Sequence, residues 1–343
     1  MFLPKPASRS RATGRTTLAD VARAAGVSPI TVSRALRGER AVDAELVLRV
    51  QAAAKEMGYV PDPAARALAS RHSTQVVVLV PMLSNALFVD LLESVQRTLR
   101  PAGFQMLMGV THYDPVEEEA LLRELLLHRP AGLLVTGFER TEAAKMLITQ
   151  SQVPCVHLME TAGANGVYSV GFSQKDAGAQ MTQHLLQRGF RQIVFAAAQL
   201  DARTLQRQQG WCEAMTQAGL YRPDMVWQDP APSSMALGGQ MLGEILARQP
   251  DADAIFFCND DLAQGALLAA TRQGVAVPGQ VAIAGFNDLT GSDQMVPALT
   301  TVHTPRSEIG TAAASMLLAL IKGDKVDPPG VDLGFALRVR AST

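Results

Sequence analysis

The sequence predicts a small all-α headpiece followed by a larger α/β body of two lobes. Three observations carry this. Residues 16–60 hold three short helical patterns, each opened by a capping residue and closed by a glycine. From Gln75 onward, short apolar runs alternate with longer helical patterns. The charge divides at the same place: residues 1–72 carry twelve Lys/Arg against six Asp/Glu, and the remainder nineteen against twenty-six. The overall charge of −1 hides this split. A basic head on an acidic body points to a polyanionic partner for the head alone.

The totals set the scale. A chain of 343 residues exceeds one small domain, since domains run at roughly 150 residues. Apolar residues make up 48% and charged residues 18%, a globular rather than a disordered composition. Residues 1–15 form an exception: a Pro/Ser/Arg-rich arm with four basic residues and no acid, expected to be disordered. Lys5, Arg9 and Arg11 precede no apolar stretch, so no secretory signal is expected, and runs such as Val76 to Leu83 are too short to span a bilayer. A cytoplasmic protein is the expectation. Cys155, Cys212 and Cys258 are odd in number and set in apolar runs, which reads as reduced core cysteines.

The head is expected to be a helix-turn-helix. Thr17 caps the first helix, with Asp20 three residues on, and Gly26 makes the turn. Ser28 caps the second, with Pro29 in its first turn, where a missing N–H costs nothing. Gly38 ends it. Asp43 caps a third helix, in which Leu46, Val47 and Val50 recur at helical spacing, and Gly58 stops that one. Val21, Val27, Val32 and Leu36 are placed to form a small core, with Ala22 allowing a close crossing. Burial of that set turns Pro29, Ile30, Thr31, Ser33 and Arg34 outward. Residues at the start of such a second helix reach base edges in the major groove. Arg34 has the fork for a guanine and Ile30 the apolar surface for a thymine methyl. The hydroxyls of Thr17, Ser28, Thr31 and Ser33 suit phosphates. A short Ala-rich helix over residues 63–70 and a linker at 71–74 follow.

In the body the expected strands are Val76–Val80, Gln105–Gly109, Gly132–Val135, Cys155–Leu158, Gln192–Ala196, Ala254–Phe257 and Val281–Ala284. Alternating β and α elements argue for parallel sheets with helices on both faces. About 270 residues is large for one such sheet, so two lobes are expected. Ligands of such folds sit at the carboxyl ends of the strands.

The quoted residues resemble a known family. Leu18-Ala19-Asp20-Val21-Ala22, Ala25-Gly26-Val27-Ser28 and Thr31-Val32-Ser33-Arg34-Ala35-Leu36 are similar to the head of the LacI/GalR family of bacterial repressors. Glu56-Met57-Gly58-Tyr59-Val60-Pro61 through Leu68 resembles the end of that headpiece and its hinge helix. The likeness continues through Val153-Pro154, Asn259-Asp260-Asp261 and Gly285-Phe286. It implies a sequence-specific transcriptional regulator acting as a homodimer on palindromic double-stranded operator DNA. It also implies a periplasmic-binding-protein-like body of two α/β lobes joined by three crossovers, with the effector between them. The implied domains are an arm over 1–15, a DNA-binding domain over 16–60, a hinge helix and linker over 61–74, and an effector-binding and dimerisation domain over 75–343. Leu68 matches the family's minor-groove wedge, with Ala65 as its small neighbour; such a wedge unstacks a base step and bends the duplex.

Matching the family's cleft gives the loop Ser84-Asn85-Ala86-Leu87-Phe88, Glu160 or its neighbour Met159, Arg207, Asn259 and Asn287 as effector contacts. Asp260 and Asp261 suffice to cap the helix after Cys258, which leaves Asn259 for ligand. Asn287 stands where the family has an aspartate that holds a neutral sugar. Arg203 and Arg207 lie four apart and share a helix face near its N-terminus, an arrangement suited to a carboxylate, with Arg207 the expected anchor and a solvated surface position the alternative for Arg203. Leu158-Met159-Glu160, Leu200-Asp201-Ala202-Arg203-Thr204, Thr304-Pro305-Arg306 and Asp332-Leu333-Gly334-Phe335 resemble the gluconate-utilisation repressors of the family. That implies a sugar-acid effector, D-gluconate or a relative. The rival readings are a sugar-binding protein without a regulatory role, which has no use for residues 1–72, and a sugar-acid enzyme. For the enzyme there is no phosphate-binding glycine motif, no G-x-S-x-G and no metal spacing among the six histidines. No cofactor and no metal are expected.

Overall fold

The computed structural model describes residues 16–36, 42–60, 73–84, 86–161 and 166–343. The arm, Gly38, the stretch containing Ala65 and Leu68, and Asn85 lie outside them. The chain divides into two compact units, Met1–Ser73 and Thr74–Thr343.

The first unit has α1 (Leu18–Ala25), α2 (Pro29–Leu36) and α3 (Ala44–Glu56). Thr17 and Asp20 close a reciprocal capping box: the Asp20 N–H donates to Thr17 Oγ1, and the Thr17 N–H donates to Asp20 Oδ2. The hydroxyl of Thr17, the N–H of Thr17 and Arg23 together hold the Asp20 carboxyl below the usual carboxylate range. Gly26 takes the left-handed conformation, with φ 67°, that turns α1 into α2. Val21, Ala22, Ala25, Val32, Ala35, Val50 and Ala54 form the core, with Val27 and Leu36 partly buried at its edge.

The second unit opens with β1 (Gln75–Val80), α4 (Leu87–Leu99), β2 (Gln105–Val110), α5 (Pro115–Leu126), β3 (Gly132–Thr136), α6 (Glu142–Ser151), β4 (Cys155–Met159) and β5 (Tyr168–Gly171). The second lobe follows: α7 (Gln174–Gln187), β6 (Ile193–Ala198), α8 (Ala202–Gln217), β7 (Val226–Asp229), α9 (Met235–Arg248), β8 (Ala254–Phe257), α10 (Asp260–Gln273), β9 (Ala282–Asn287) and β10 (Thr300–His303). The chain ends with α11 (Arg306–Lys322), β11 (Gly330–Asp332) and β12 (Ala336–Arg338). The sheets run β11-β5-β4-β3-β1-β2 and β12-β10-β9-β8-β6-β7, all pairs parallel except β10 with β12. Val76 to Val80 are at most 1% exposed, because helices cover both faces and a central parallel strand reads as a continuous apolar run.

The polypeptide crosses between lobes three times. It leaves the first sheet after β5, returns to pack α11 on α4 and β3–β5, and crosses again between β11 and β12. Phe172 and Phe335, on two of these crossings, pack tilted at 6.0 Å, and Phe172 stacks at 6.3 Å on Phe286 near the end of β9. Arg306 spans the remaining crossing. It donates to Asp90 of α4 at 3.0 and 3.1 Å, and its Nη1 donates to the carbonyl of Asn287 in the other lobe.

The predicted strands were all found, but β6 runs over 193–198 and β9 over 282–287, two to three residues beyond their expected ends. Leu87 and Phe88 are not in a loop. They form the first turn of α4, where their apolar side chains are buried. Among the described residues no helix is long and apolar enough to cross a membrane. The three cysteines are free, and burial pushes the thiols of Cys155 and Cys258 up to about 12.

Candidate functional site: the interlobe cleft and the second helix of the head

The carboxyl ends of both sheets meet between the lobes. Among the described residues, eight non-glycine positions have positive φ, and six of them fall at these strand ends: His112, Tyr113, Met159, Gln199, Asn287 and Asp288. Such strain persists where the surroundings over-determine it and is concentrated at binding sites. A cavity of about 200 Å³ lies there. The first lobe contributes Thr111, Tyr113, Glu118 and Glu139 to its wall, and the second contributes Asp201 and Arg203. A smaller cavity of about 30 Å³ adjoins it across Tyr113 and reaches Ser84, Ser233 and Asn259.

Arg203 is the cation of the larger wall. Asp201 caps α8 through the N–H groups of Arg203 and Thr204, and its Oδ1 accepts from Arg203 Nε at 3.2 Å. Nη1 of Arg203 is shielded from solvent and has no hydrogen-bond partner. Arg203 is 7% exposed, so it is not a solvated surface residue. Its guanidinium carbon is 5.8 Å from the centre of the Tyr113 ring.

Arg207 sits behind that wall and is already engaged. Its Nε donates to Gln174 Oε1 at 2.9 Å, and its Nη1 donates to the Cys258 carbonyl at 2.7 Å and to Asn259 Oδ1 at 2.9 Å. The guanidinium carbon lies over the Phe286 ring, 3.8 Å from its centre. Burial lowers its pKa from the usual arginine range. Asn287 Nδ2 donates to the same Asn259 Oδ1 at 3.1 Å, and Asn287 Oδ1 accepts from Thr304. The expectation that Asp260 and Asp261 cap α10 fails for Asp260. Asn259 holds the capping position but makes no capping hydrogen bond, and Asp260 turns inward. It accepts from Thr301 Oγ1 (2.6 Å), the Leu289 N–H (2.7 Å) and Ser292 Oγ (3.0 Å). Asn259 is therefore no cap, yet it is held in place by Arg207 and Asn287 rather than free.

Burial pushes the Asp260 carboxyl up to about 6. The sign follows from linkage. Between its unfolded pKa near 4 and about 6, the folded protein holds a proton that the unfolded chain has lost, so stability falls as pH rises through this window. Asp260→Asn removes this titration. Urea unfolding of both proteins should show the wild-type advantage shrinking between pH 4 and pH 7, and a constant difference would contradict it.

Glu160 follows β4 directly and is 4% exposed. Its Oε1 accepts from Gln206 Nε2 at 2.7 Å, and its Oε2 is unpartnered. Burial raises its pKa and Arg203 opposes that rise. Phe88 is fully buried among core side chains and reaches neither cavity wall. Sequence reasoning missed Thr111, Tyr113, Glu118 and Glu139; the end of β2 followed by the Asp114-Pro115 cap was the available signal. Among the described residues, no group of His, Cys, Asp and Glu is placed to hold a metal ion.

In the head, α2 exposes Pro29, Ile30 and Arg34, with Ile30 66% accessible. Thr31 and Ser33 are half-buried. Ser28 Oγ accepts from the Thr31 N–H at 3.1 Å and lies 2.8 Å from the Thr31 hydroxyl. Thr17 Oγ1 donates to Asp20 at 2.7 Å.

Residues 17–62 match the family model described as bacterial regulatory proteins, lacI family, and residues 182–343 match the periplasmic binding protein-like domain. An HTH-type transcriptional regulator GntR of Pseudomonas aeruginosa is 52% identical over 343 residues, all of both chains. The chain belongs to the lacI family. Among solved structures, a LacI-family regulator from Silicibacter pomeroyi is similar at 35% identity and a TM-score of 0.89, covering 95% of this chain and 99% of its own. The lac repressor dimer bound to operator and the anti-inducer ONPF is similar at 25% identity and a TM-score of 0.83, covering 96% and 99%. This lacI-family chain is a sequence-specific DNA-binding transcriptional regulator and not an enzyme. Its helix-turn-helix and its two-lobed body are the family's two parts.

Proposed function

We propose that this lacI-family regulator represses sugar-acid utilisation genes and leaves its operator when D-gluconate or a close relative closes the cleft. The observation that carries the reading is Arg203: a buried cation on the cavity wall with an unpaired Nη1, the group a ligand carboxylate satisfies. Three of the four acidic wall residues are already engaged. Glu118 is paired with Arg140 at 2.7 Å, Asp114 caps α5, and Asp201 pairs with Arg203. These acceptors suit the hydroxyls of a polyol chain.

A palindromic operator is read by a homodimer whose half-site spacing follows the protein two-fold. Residues 16–60 supply the reading head, 61–74 the hinge with Leu68 and Ala65 at the operator centre, and 75–343 the sensor and dimerisation body. The regulator acts in the cytoplasm, where its DNA lies. Coupling of about 1–3 kcal/mol between cleft and head changes operator occupancy several-fold or more.

The test is gel-shift binding of the full chain to the promoter beside its own gene. Added gluconate should release the DNA in a dose-dependent way. Tightened or unchanged binding would refute the reading. A neutral polyol is the second reading, favoured by the acceptor-rich wall, and glucose and sorbitol are its arms in the same assay.

A further inference from the structure

Two polar atoms have no partner and are of opposite character, one on the wall of the larger cavity and one behind the wall residue Gly137. One is Nη1 of Arg203, a donor; the other is Oε2 of Glu160, an acceptor. Each residue lies in the other's electrostatic field, yet neither of these atoms bonds to anything. Both side chains are more than nine-tenths buried, at 7% and 4% exposure. Arg203 Nε is fixed by Asp201, and Glu160 Oε1 by Gln206 of the same helix.

Gly137 shows where Glu160 points. This cavity-wall residue has φ 67°, and a Cβ there would lie 2.8 Å from Glu160 Oε2 and 3.3 Å from Glu139 Oε2. The absent side chain leaves the carboxylate against the wall. The site thus offers one charged donor and one acceptor, both preorganised and both costly to leave unmade.

We propose that the Arg203–Glu160 pair reads a 2-hydroxy carboxylate, with Arg203 taking the acid group and Glu160 accepting the proton of the adjacent hydroxyl. This rests on the sugar-acid reading above and narrows it. The two ligand groups sit on neighbouring carbons, and the two protein groups are tied through one helix, which carries Arg203 and holds Glu160 by Gln206. A 2-oxo acid keeps the carboxylate but brings lone pairs to Glu160 Oε2, which has none of its own protons to offer when ionised. A site built to bond a substrate hydroxyl discriminates strongly against the analogue that lacks it. Glu139 adds a second negative oxygen to the same corner and works in the same direction.

The experiment is calorimetric titration of the full chain with gluconate, 2-ketogluconate and 2-deoxygluconate, repeated on Glu160→Gln. Gluconate should bind the wild type at least about tenfold more tightly than either analogue. In Glu160→Gln the amide can donate, so the gluconate to 2-ketogluconate ratio should fall by tenfold or more, with the melting temperature as the folding control. Equal wild-type affinities for the three acids would overturn the proposal, and this arm needs no variant to fold. An unchanged ratio in a folded Glu160→Gln would overturn it too. Sugar acids that bind without regard to C2 leave the sugar-acid reading standing and remove this one. If no sugar acid binds, both fall.

Discussion

Arg207→Ala is expected to destabilise the body by about 3 kcal/mol and to abolish effector-driven release of DNA. The guanidinium joins α7 through Gln174, the end of β8 through the Cys258 carbonyl and the start of α10 through Asn259. Removing it leaves Gln174 Oε1 and the Cys258 carbonyl without this donor in a shielded site, each worth roughly 1–3 kcal/mol when unmet. Lifting a desolvated cation returns part of that, because burial already works against its charge. The balance stays unfavourable, since the Phe286 ring also loses the guanidinium that covers it at 3.8 Å. Asn259 would then lose one of the two donors that fix its Oδ1. Arg203→Ala is the contrast. Among the described residues its ion pair is with Asp201 at 3.2 Å, and its Nη1 is unpartnered, so removing it also lifts an unmet buried donor; the stability cost should be smaller than for Arg207→Ala while acid binding is lost. Urea unfolding with gel shifts in the presence of gluconate separates the two. Equal stability losses, or normal induction in Arg207→Ala, would refute the division of labour. Arg207→Lys should not rescue, because a point charge cannot span Gln174 and Asn259 together.

That division shows what a linear reading reaches. The i, i+4 spacing of Arg203 and Arg207 placed both on one face of α8, and both are buried there. It did not reveal which of them lines the cavity, because the partners of Arg207 come from residues 33 to 52 positions away. The head was legible almost throughout. Capping boxes, turn glycines and short apolar spacing act within a few residues, and the box at Thr17 formed as its spacing required. Seven strands were legible as apolar runs, the edge strand β2 among them. Five were not: Tyr168–Gly171 and Thr300–His303 inside the sheets, and Val226–Asp229, Gly330–Asp332 and Ala336–Arg338 at their edges, each only three or four residues long. They become strands only because a neighbour offers a ladder. Tyr113 and Glu139 were missed for a related reason. They follow strand ends, and their significance arises only when two sheets bring those ends to one cleft.

Gly210→Ala should be the more destructive change at a glycine, and Gly243→Ala the harmless one, although both add one methyl to a helix. A Cβ at Gly210 would sit 2.0 Å from the Lys175 carbonyl oxygen and 2.6 Å from the Ala179 nitrogen. Both are backbone atoms of α7 and cannot rotate away. Facing it, a Cβ at Gly178 would meet the Arg207 carbonyl at 2.3 Å. The two glycines therefore set the distance at which α7 and α8 cross. Adding the methyl pushes α8 off α7 and pulls Arg207 Nε from Gln174, at a cost of about 3 kcal/mol or more. Because α8 also carries Arg203, effector affinity should fall with stability. Gly243, in α9, has nothing within 4 Å of its Cβ position. Alanine there gains helix propensity and should stabilise by about 0.5–1 kcal/mol. Thermal unfolding of the two variants should shift in opposite directions, with effector-driven release lost only in Gly210→Ala. A shift of the same sign in both would mean that helix propensity, not the backbone contact, governs these sites. Retained induction in a destabilised Gly210→Ala would mean that the crossing distance does not position the arginines.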